Sequence, residues 1–180
     1  MLNNLTFKEL GKSSTEKLTE YFASSSPPWK AAQNPYSKRL TLPLLWAPSD
    51  LINDRIKCMQ LQQAKKLCDY TRLALLDLAT YIPGIPIRIF YAKLLPNDSI
   101  AAHIDTGSIF SISHRCHLPI LAPHGIQFTC SHNIHIPKEG EWFEINNCLT
   151  HSVINNASTE RIHLIVDVLP KDHSWLLEKC

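Results

Sequence analysis

Near residue 83 the spacing of apolar side chains changes, and that change limits the folds open to this chain. Upstream, apolar residues recur at helical intervals; downstream of Pro86 they recur at every second position in short runs. These runs read as strands over 87–95, 99–103, 111–121, 125–130, 133–136, 142–145, 149–154 and 161–169. The breaks carry turn chemistry: Pro96-Asn97-Asp98, Asp105-Thr106-Gly107, Pro123-His124-Gly125, Glu139-Gly140 and Asn155-Asn156. Eight short strands at regular spacing predict an all-β sandwich or barrel, and eight is the strand number of a jelly roll.

The first 84 residues read as a mainly helical cover with an irregular connection. Ser13 and Glu16 have capping-box spacing, and Leu18, Tyr21 and Phe22 form one apolar stripe behind them. Pro27, Pro28, Pro35, Pro43 and Pro48 predict an irregular stretch. A helix is expected from Pro48-Ser49, with Asp50 and Asp54 near its start and Ile52, Ile56 and Met59 on one face. A second is expected over 65–81, carrying Leu67, Tyr70, Leu73, Leu76 and Leu78 and stopped by Pro83-Gly84. The expected organisation is a single domain over 1–180, with a β core at 85–170 and a tail at 171–180. It is a mainly β fold with N-terminal helices covering one sheet.

Composition excludes several function classes. Hydrophobic residues at 44% and charged residues at 19% are those of a globular protein, not a disordered or fibrous one. A net charge of +2 is too small to argue for nucleic acid or a membrane surface as partner. The 5 glycines form neither GxGxxG nor GxxxxGK[ST], so no phosphate cradle is expected. The N-terminal residues lack a signal-peptide pattern, and no apolar run approaches the ~20 residues of a membrane helix. The expectation is a cytoplasmic protein whose six cysteines, none in CxxC spacing, are free thiols rather than zinc ligands.

Two strands have informative faces. In 161–169, Ile162, Leu164, Val166 and Val168 form an apolar face that the helices are placed to cover. The opposite face carries Arg161, His163, Ile165 and Asp167. In 111–121, Ser111, Ser113, Arg115 and His117 share one face. These polar faces point either to solvent or into the space between two sheets. If inward, the arginines need anionic partners, and the available inward acids are few, Asp105 and Asp167 among them. A bound dicarboxylate would supply the missing charge.

His103-Ile104-Asp105 follows an extended run, so its two polar side chains lie on one side of the chain. His151 lies in a later strand. Two imidazoles and one carboxylate are the donor set of a non-haem Fe(II) facial triad. A lone HxD also occurs as a surface turn capped by its Asp. What makes this set more specific is Arg161, ten residues beyond His151, a guanidinium fork suited to a carboxylate.

From Arg88 to Leu169, a little under half of the chain, the sequence resembles the aspartyl/asparaginyl β-hydroxylase family of Fe(II)/2-oxoglutarate-dependent dioxygenases. The pieces that carry the resemblance are RIFYAKLLPNDSIAAHIDTG, HRCHLPI, EGEWFEI and THSVINNASTERIHLIVDV. The resemblance implies a double-stranded β-helix, a jelly-roll and cupin-like variant. It implies His103 and His151 as iron ligands and Arg161 as partner of the distal carboxylate of 2-oxoglutarate. It also implies Arg115 and His117 at the carboxylate next to the keto group. Members differ at the carboxylate ligand; Asp105 is present here, so a full triad with His103 and His151 is expected. The implied cosubstrates are 2-oxoglutarate and O2, and the implied reaction is hydroxylation of an unactivated C–H bond with release of succinate and CO2.

Two other functions fit the residues alone. One is a cupin-like metalloenzyme of another reaction type, holding zinc or manganese on the same three ligands. The other is a non-catalytic jelly roll that binds a partner protein. Cations on both sides of a keto diacid favour the dioxygenase. The expected substrate is an amino acid or peptide-like molecule, or an Asp or Asn side chain of a polypeptide.

Overall fold

The structure, a computed structural model, describes residues 5–31 and 39–178. Its elements in order are β1 (Phe7–Lys12), α1 (Glu16–Ser24), β2 (Lys30–Ala31), β3 (Leu40–Trp46), β4 (Met59–Gln60), α2 (Lys65–Tyr81), β5 (Gly84–Leu94), β6 (Asp98–His103), β7 (His114–Leu121), β8 (Ile126–Cys130), β9 (Asn133–His135), β10 (Glu141–Ile145), β11 (His151–Asn155) and β12 (Arg161–Pro170). Short 3-10 turns occupy Ser108–Ser111 and Lys171–Leu176.

The strands form two antiparallel sheets. The larger runs β1-β10-β7-β12-β5-β3-β2, with β4 also paired to β3; the smaller runs β6-β11-β8-β9. Strands β5 to β12 thus divide four and four between facing sheets in the order of a double-stranded β-helix, a jelly-roll fold. The alternation along β12 explains the layering. Ile162, Leu164, Val166 and Val168 pack outward against Leu18 of α1 and Leu67, Ala74 and Leu78 of α2. The helices therefore cover the large sheet, as expected. A buried bond of 2.7 Å between the Thr71 and Tyr91 hydroxyls ties α2 to β5. Between the sheets, Leu94, Phe143 and Ile145 of the large sheet meet Ile100, Ile126, Phe128 and Val153 of the small one.

The N-terminal region is less helical than expected: residues 7–12 and 30–31 form strands β1 and β2, and three further departures have a local reason. Residues 48–60 form no helix; Asn53 and Asp54 have φ of 51° and 57°, and Ile52 and Arg55 bridge each other around them. Asn and Asp tolerate this left-handed turn, which a helix cannot contain. Of the three apolar residues that suggested a helical face, only Ile56 is buried, while Ile52 and Met59 are exposed. Residues 40–46 are a strand despite Pro43, because the register of β3 against β5 shifts between Pro43 and Leu45. Ser13 does not cap α1. Its hydroxyl donates to Asp77 Oδ2 (2.7 Å) and accepts from Trp142 Nε1 (2.8 Å), which ties the start of α1 to α2 and β10.

The strand expected from residue 111 begins at His114, after the 3-10 turn. The Pro35 expectation falls outside the described residues. Residues 171–178 are anchored: Leu176 is buried beside Ile56 and Leu169. Among the described residues no helix is long and apolar enough to cross a membrane.

Candidate active site

The polar faces of β7 and β12 point inward. Arg115, His117, Arg161, His163 and Asp167 are all buried between the sheets, which excludes the solvated open face. Six basic side chains, Arg39, His103, Arg115, His117, His151 and Arg161, line one narrow pocket there, with Phe128 and Ile165 among its apolar walls.

The expected triad converges. His103 ends β6 and His151 begins β11, directly opposite each other in the antiparallel ladder, with ring centroids 4.3 Å apart. The ladder register shifts between His151 and Val153, an irregularity of the kind that re-aims side chains beside sites. Asp105 lies two residues past β6, and its backbone N–H donates to the Asn147 carbonyl (3.1 Å) in the turn that leads into β11. One ligand atom from each of His103, Asp105 and His151 falls within 4.8 Å of the others, and this is the group of metal-ligating side chains found among the described residues.

The donor set fits a divalent ion. His103 Nδ1 donates to the Ala101 carbonyl at 2.8 Å, and His151 Nδ1 donates to the Leu149 carbonyl at 2.9 Å. A carbonyl can only accept, so each Nδ1 carries the proton and each Nε2 presents a lone pair. Those Nε2 atoms face the two oxygens of Asp105 at 3.8 and 3.9 Å. These separations are too long for hydrogen bonds and suit a shared cation. Burial lowers the pKa of His151, against the opposing pull of the Leu149 carbonyl and Asp105, so the ring is neutral at neutral pH. Burial pushes the Asp105 carboxyl up, but Arg115, His151, His103 and Arg39 outweigh it and hold the group below the ordinary carboxylate range.

Deeper in the pocket the arrangement asks for an anion. Arg161 is 1% exposed; its Nε has no partner and its Nη2 makes one long bond, 3.4 Å, to the Ala92 carbonyl. Desolvation, with Arg39 nearby, lowers its pKa to about 9, so it remains a cation at neutral pH. His117 Nδ1 is buried without a partner, its ring stacked on Phe143. Burial, then Arg115 and Arg161, push its pKa well below 6.5. A cation with so few partners in an interior site is costly unless an anion completes it. The distal carboxylate of a keto diacid would do so.

Arg115 lines the same pocket, but its guanidinium is committed. Nε and Nη2 each bind an Asp167 oxygen at 2.8 Å, and Nη1 contacts Asp105 Oδ2. No residue of the N-terminal half is expected in the site from sequence, yet Arg39, immediately before β3, is part of the lining. Its single inward position next to a proline-rich stretch carries no periodic signal, so only the fold reveals it.

The family profile described as "Aspartyl/Asparaginyl beta-hydroxylase" matches residues 11–170. The chain belongs to this family. It is an enzyme of the hydroxylase kind, an oxidoreductase. A search of curated proteins finds no match. Among solved structures, the hydroxylase resembles an oxidoreductase of the 2OG-Fe(II) oxygenase family from Burkholderia pseudomallei, at 14% identity and TM-score 0.63 over 93% of this chain and 86% of that one. It also resembles a prolyl hydroxylase from Trichoplax adhaerens in complex with a hypoxia inducible factor peptide fragment, at 9% identity and TM-score 0.60 over 99% and 90%. A third likeness is HygX from Streptomyces hygroscopicus with nickel and 2-oxoglutarate bound, at 10% identity and TM-score 0.59 over 92% and 83%. At these identities the likeness is one of fold.

Proposed function

We propose that this hydroxylase is an Fe(II)- and 2-oxoglutarate-dependent dioxygenase that hydroxylates an unactivated C–H bond of an amino acid or amino-acid side chain. The observation that carries the reading is the convergence of His103, Asp105 and His151 beside a buried, under-partnered Arg161. When bound, ferrous iron and the keto acid supply the O2-activating chemistry that yields the hydroxyl, succinate and CO2.

The chain's own residues have separable roles. His103 and His151, through their Nε2 lone pairs, and Asp105, through its carboxylate, would hold the ion, a donor set that leaves cosubstrates room to bind. Arg161 pairs with the distal carboxylate of 2-oxoglutarate, in a pocket dry enough for the pair to be strong. His117, held neutral, offers Nδ1 to the cosubstrate without adding charge. Arg115 closes the same wall with its fork held by two carboxylates. The apolar walls from Phe128, Ile145, Val153 and Ile165 exclude water from the reacting bond.

The substrate class follows the family: an amino acid or peptide-like molecule, or an Asp or Asn side chain of a polypeptide. The peptide seated in the Trichoplax relative supports the peptide-like option. A reducing cytoplasm suits the free thiols of Cys58, Cys68, Cys116, Cys130 and Cys148. The test is succinate formation by the purified protein with Fe(II), 2-oxoglutarate and a panel of amino acids and peptides. Iron-dependent succinate, stimulated by a panel member and lost in His151→Ala, is expected. No iron-dependent succinate, together with no binding of 2-oxoglutarate, sinks the reading.

A further inference from the structure

We propose that Asp167 is a positioning residue for the ligand carboxylate of Asp105, acting through Arg115. This rests on reading His103, Asp105 and His151 as a metal site. Asp167 is fully buried in the middle of β12, directly opposite Arg115 of β7 in the ladder. The pair is a two-point contact, Nε to Oδ1 and Nη2 to Oδ2, both at 2.8 Å. Two parallel bonds fix the plane of a guanidinium as well as its position. The remaining nitrogen, Nη1, is thereby aimed at Asp105 Oδ2, which it contacts.

The surroundings keep that plane from turning. The Phe110 ring lies under the Arg115 guanidinium at 4.7 Å and under that of Arg88 at 4.8 Å. Arg88 stands across from Asp167 on β5, 4.0 Å from its Oδ2, and is itself tied to the Ala47 carbonyl (2.6 Å) and the Ser49 hydroxyl (3.1 Å). Asp105, in contrast, sits past the end of β6, and a carboxylate there rotates about its side-chain bonds unless something holds it. Arg115 holds one oxygen, and the other, Oδ1, faces His103. The rotamer of the ligand is thus set from the centre of the large sheet, by a residue that touches neither metal nor cosubstrate. The two acids and two arginines also cancel in formal charge, so a purely structural role for Asp167 would be neutralisation alone. The two roles give different results when the charges are removed together.

The test is a Co(II) titration of the intact protein, followed by visible absorption, with a thermal melt of each variant. The variants are Asp105→Ala, Asp167→Asn and the charge-neutral double variant Arg115→Met/Asp167→Met. Wild type is expected to take one Co(II) per chain. Asp167→Asn, which keeps Arg115, is expected to bind Co(II) about 10–100-fold more weakly, the usual effect of disturbing a ligand's outer partner, and unchanged binding there overturns the proposal. The double variant is expected to melt near wild type and bind as weakly. Its spectrum should move toward that of Asp105→Ala. Wild-type or tighter affinity with an unchanged spectrum in the double variant overturns the proposal while leaving the metal site intact. If the double variant does not fold, Arg115→Lys decides the same question: it keeps the charge, but one ammonium cannot span both carboxylates. The same loss is then expected, and unchanged Co(II) binding overturns the inference. If wild type binds no Co(II), both the metal reading and this inference fail.

Discussion

Arg161 is a guanidinium buried with one long hydrogen bond, so the ligand-free protein carries an uncompensated interior charge. Arg161→Met is therefore expected to melt at or above wild type without ligand. Wild type should gain about 2.7 kcal/mol from a dicarboxylate at a hundred times its Kd, and Arg161→Met should lose that gain. Melts with and without 2-oxoglutarate measure both. His163 gives a pH prediction. Its ring is fully buried with neither nitrogen bonded, stacked on Phe128, and burial followed by Arg161 and His117 pushes its pKa well below 6.5. The unfolded chain binds a proton there near pH 6.5 that the folded chain refuses. Stability is thus complete above pH 6.5 and falls as pH drops below it, by up to about 1.4 kcal/mol per pH unit for each such histidine. His163→Phe should make the slope between pH 6.5 and 5 shallower by that amount in urea unfolding. At this scale alternation put Arg115 with His117, and Arg161 with Asp167, on shared faces without deciding whether those faces turn inward, and the grouping of His103, Asp105 and His151 leaned on the family resemblance, because the spacing of a lone HxD is common. Arg39 was not legible, and neither was the commitment of Arg115 to two carboxylates, since pairing partners depend on ladder register.

The loop that follows Asp105 is clamped to the segment after β3. Gly107 has φ of 129°, and a Cβ there would come within 2.4 Å of the Ser49 carbonyl oxygen. The Ile109 N–H donates to that same carbonyl at 3.2 Å, and Asp50 accepts from the Ser108 N–H at 3.0 Å. Gly107→Ala is expected to cost about 1–3 kcal/mol in urea unfolding. It should also weaken Co(II) binding, because the displaced loop carries Asp105. Most strands from β5 onward were readable because they bury one or both faces in a period of two, as β7 and β12 do. The segment after Pro48 was not, because its helix-like spacing coincides with a tight turn closed by Ile52 and Arg55 and with a bridge from Ile56 to Leu177, far along the chain. Nor was β3, whose proline argues against a strand unless a register shift is known.

For the molecule as a whole, β1 lengthens the large sheet by pairing with β10 from Phe7↔Ile145 to Lys12↔Glu141. The N-terminal residues therefore shield a strand edge as well as leading into the helical cover. Removing residues 1–12 should bare β10, lower the melting temperature and produce concentration-dependent association visible in light scattering. An unchanged, monomeric truncated protein would contradict this. Strand β12 has a further consequence. It follows every other described strand along the chain, yet it lies between β7 and β5 in the large sheet. Until it arrives, those two strands present open edges to the cell, and the tunnel between the sheets has no floor. Vectorial synthesis thus leaves a half-built large sheet, with unpaired edges open to misassociation, until β12 has been made.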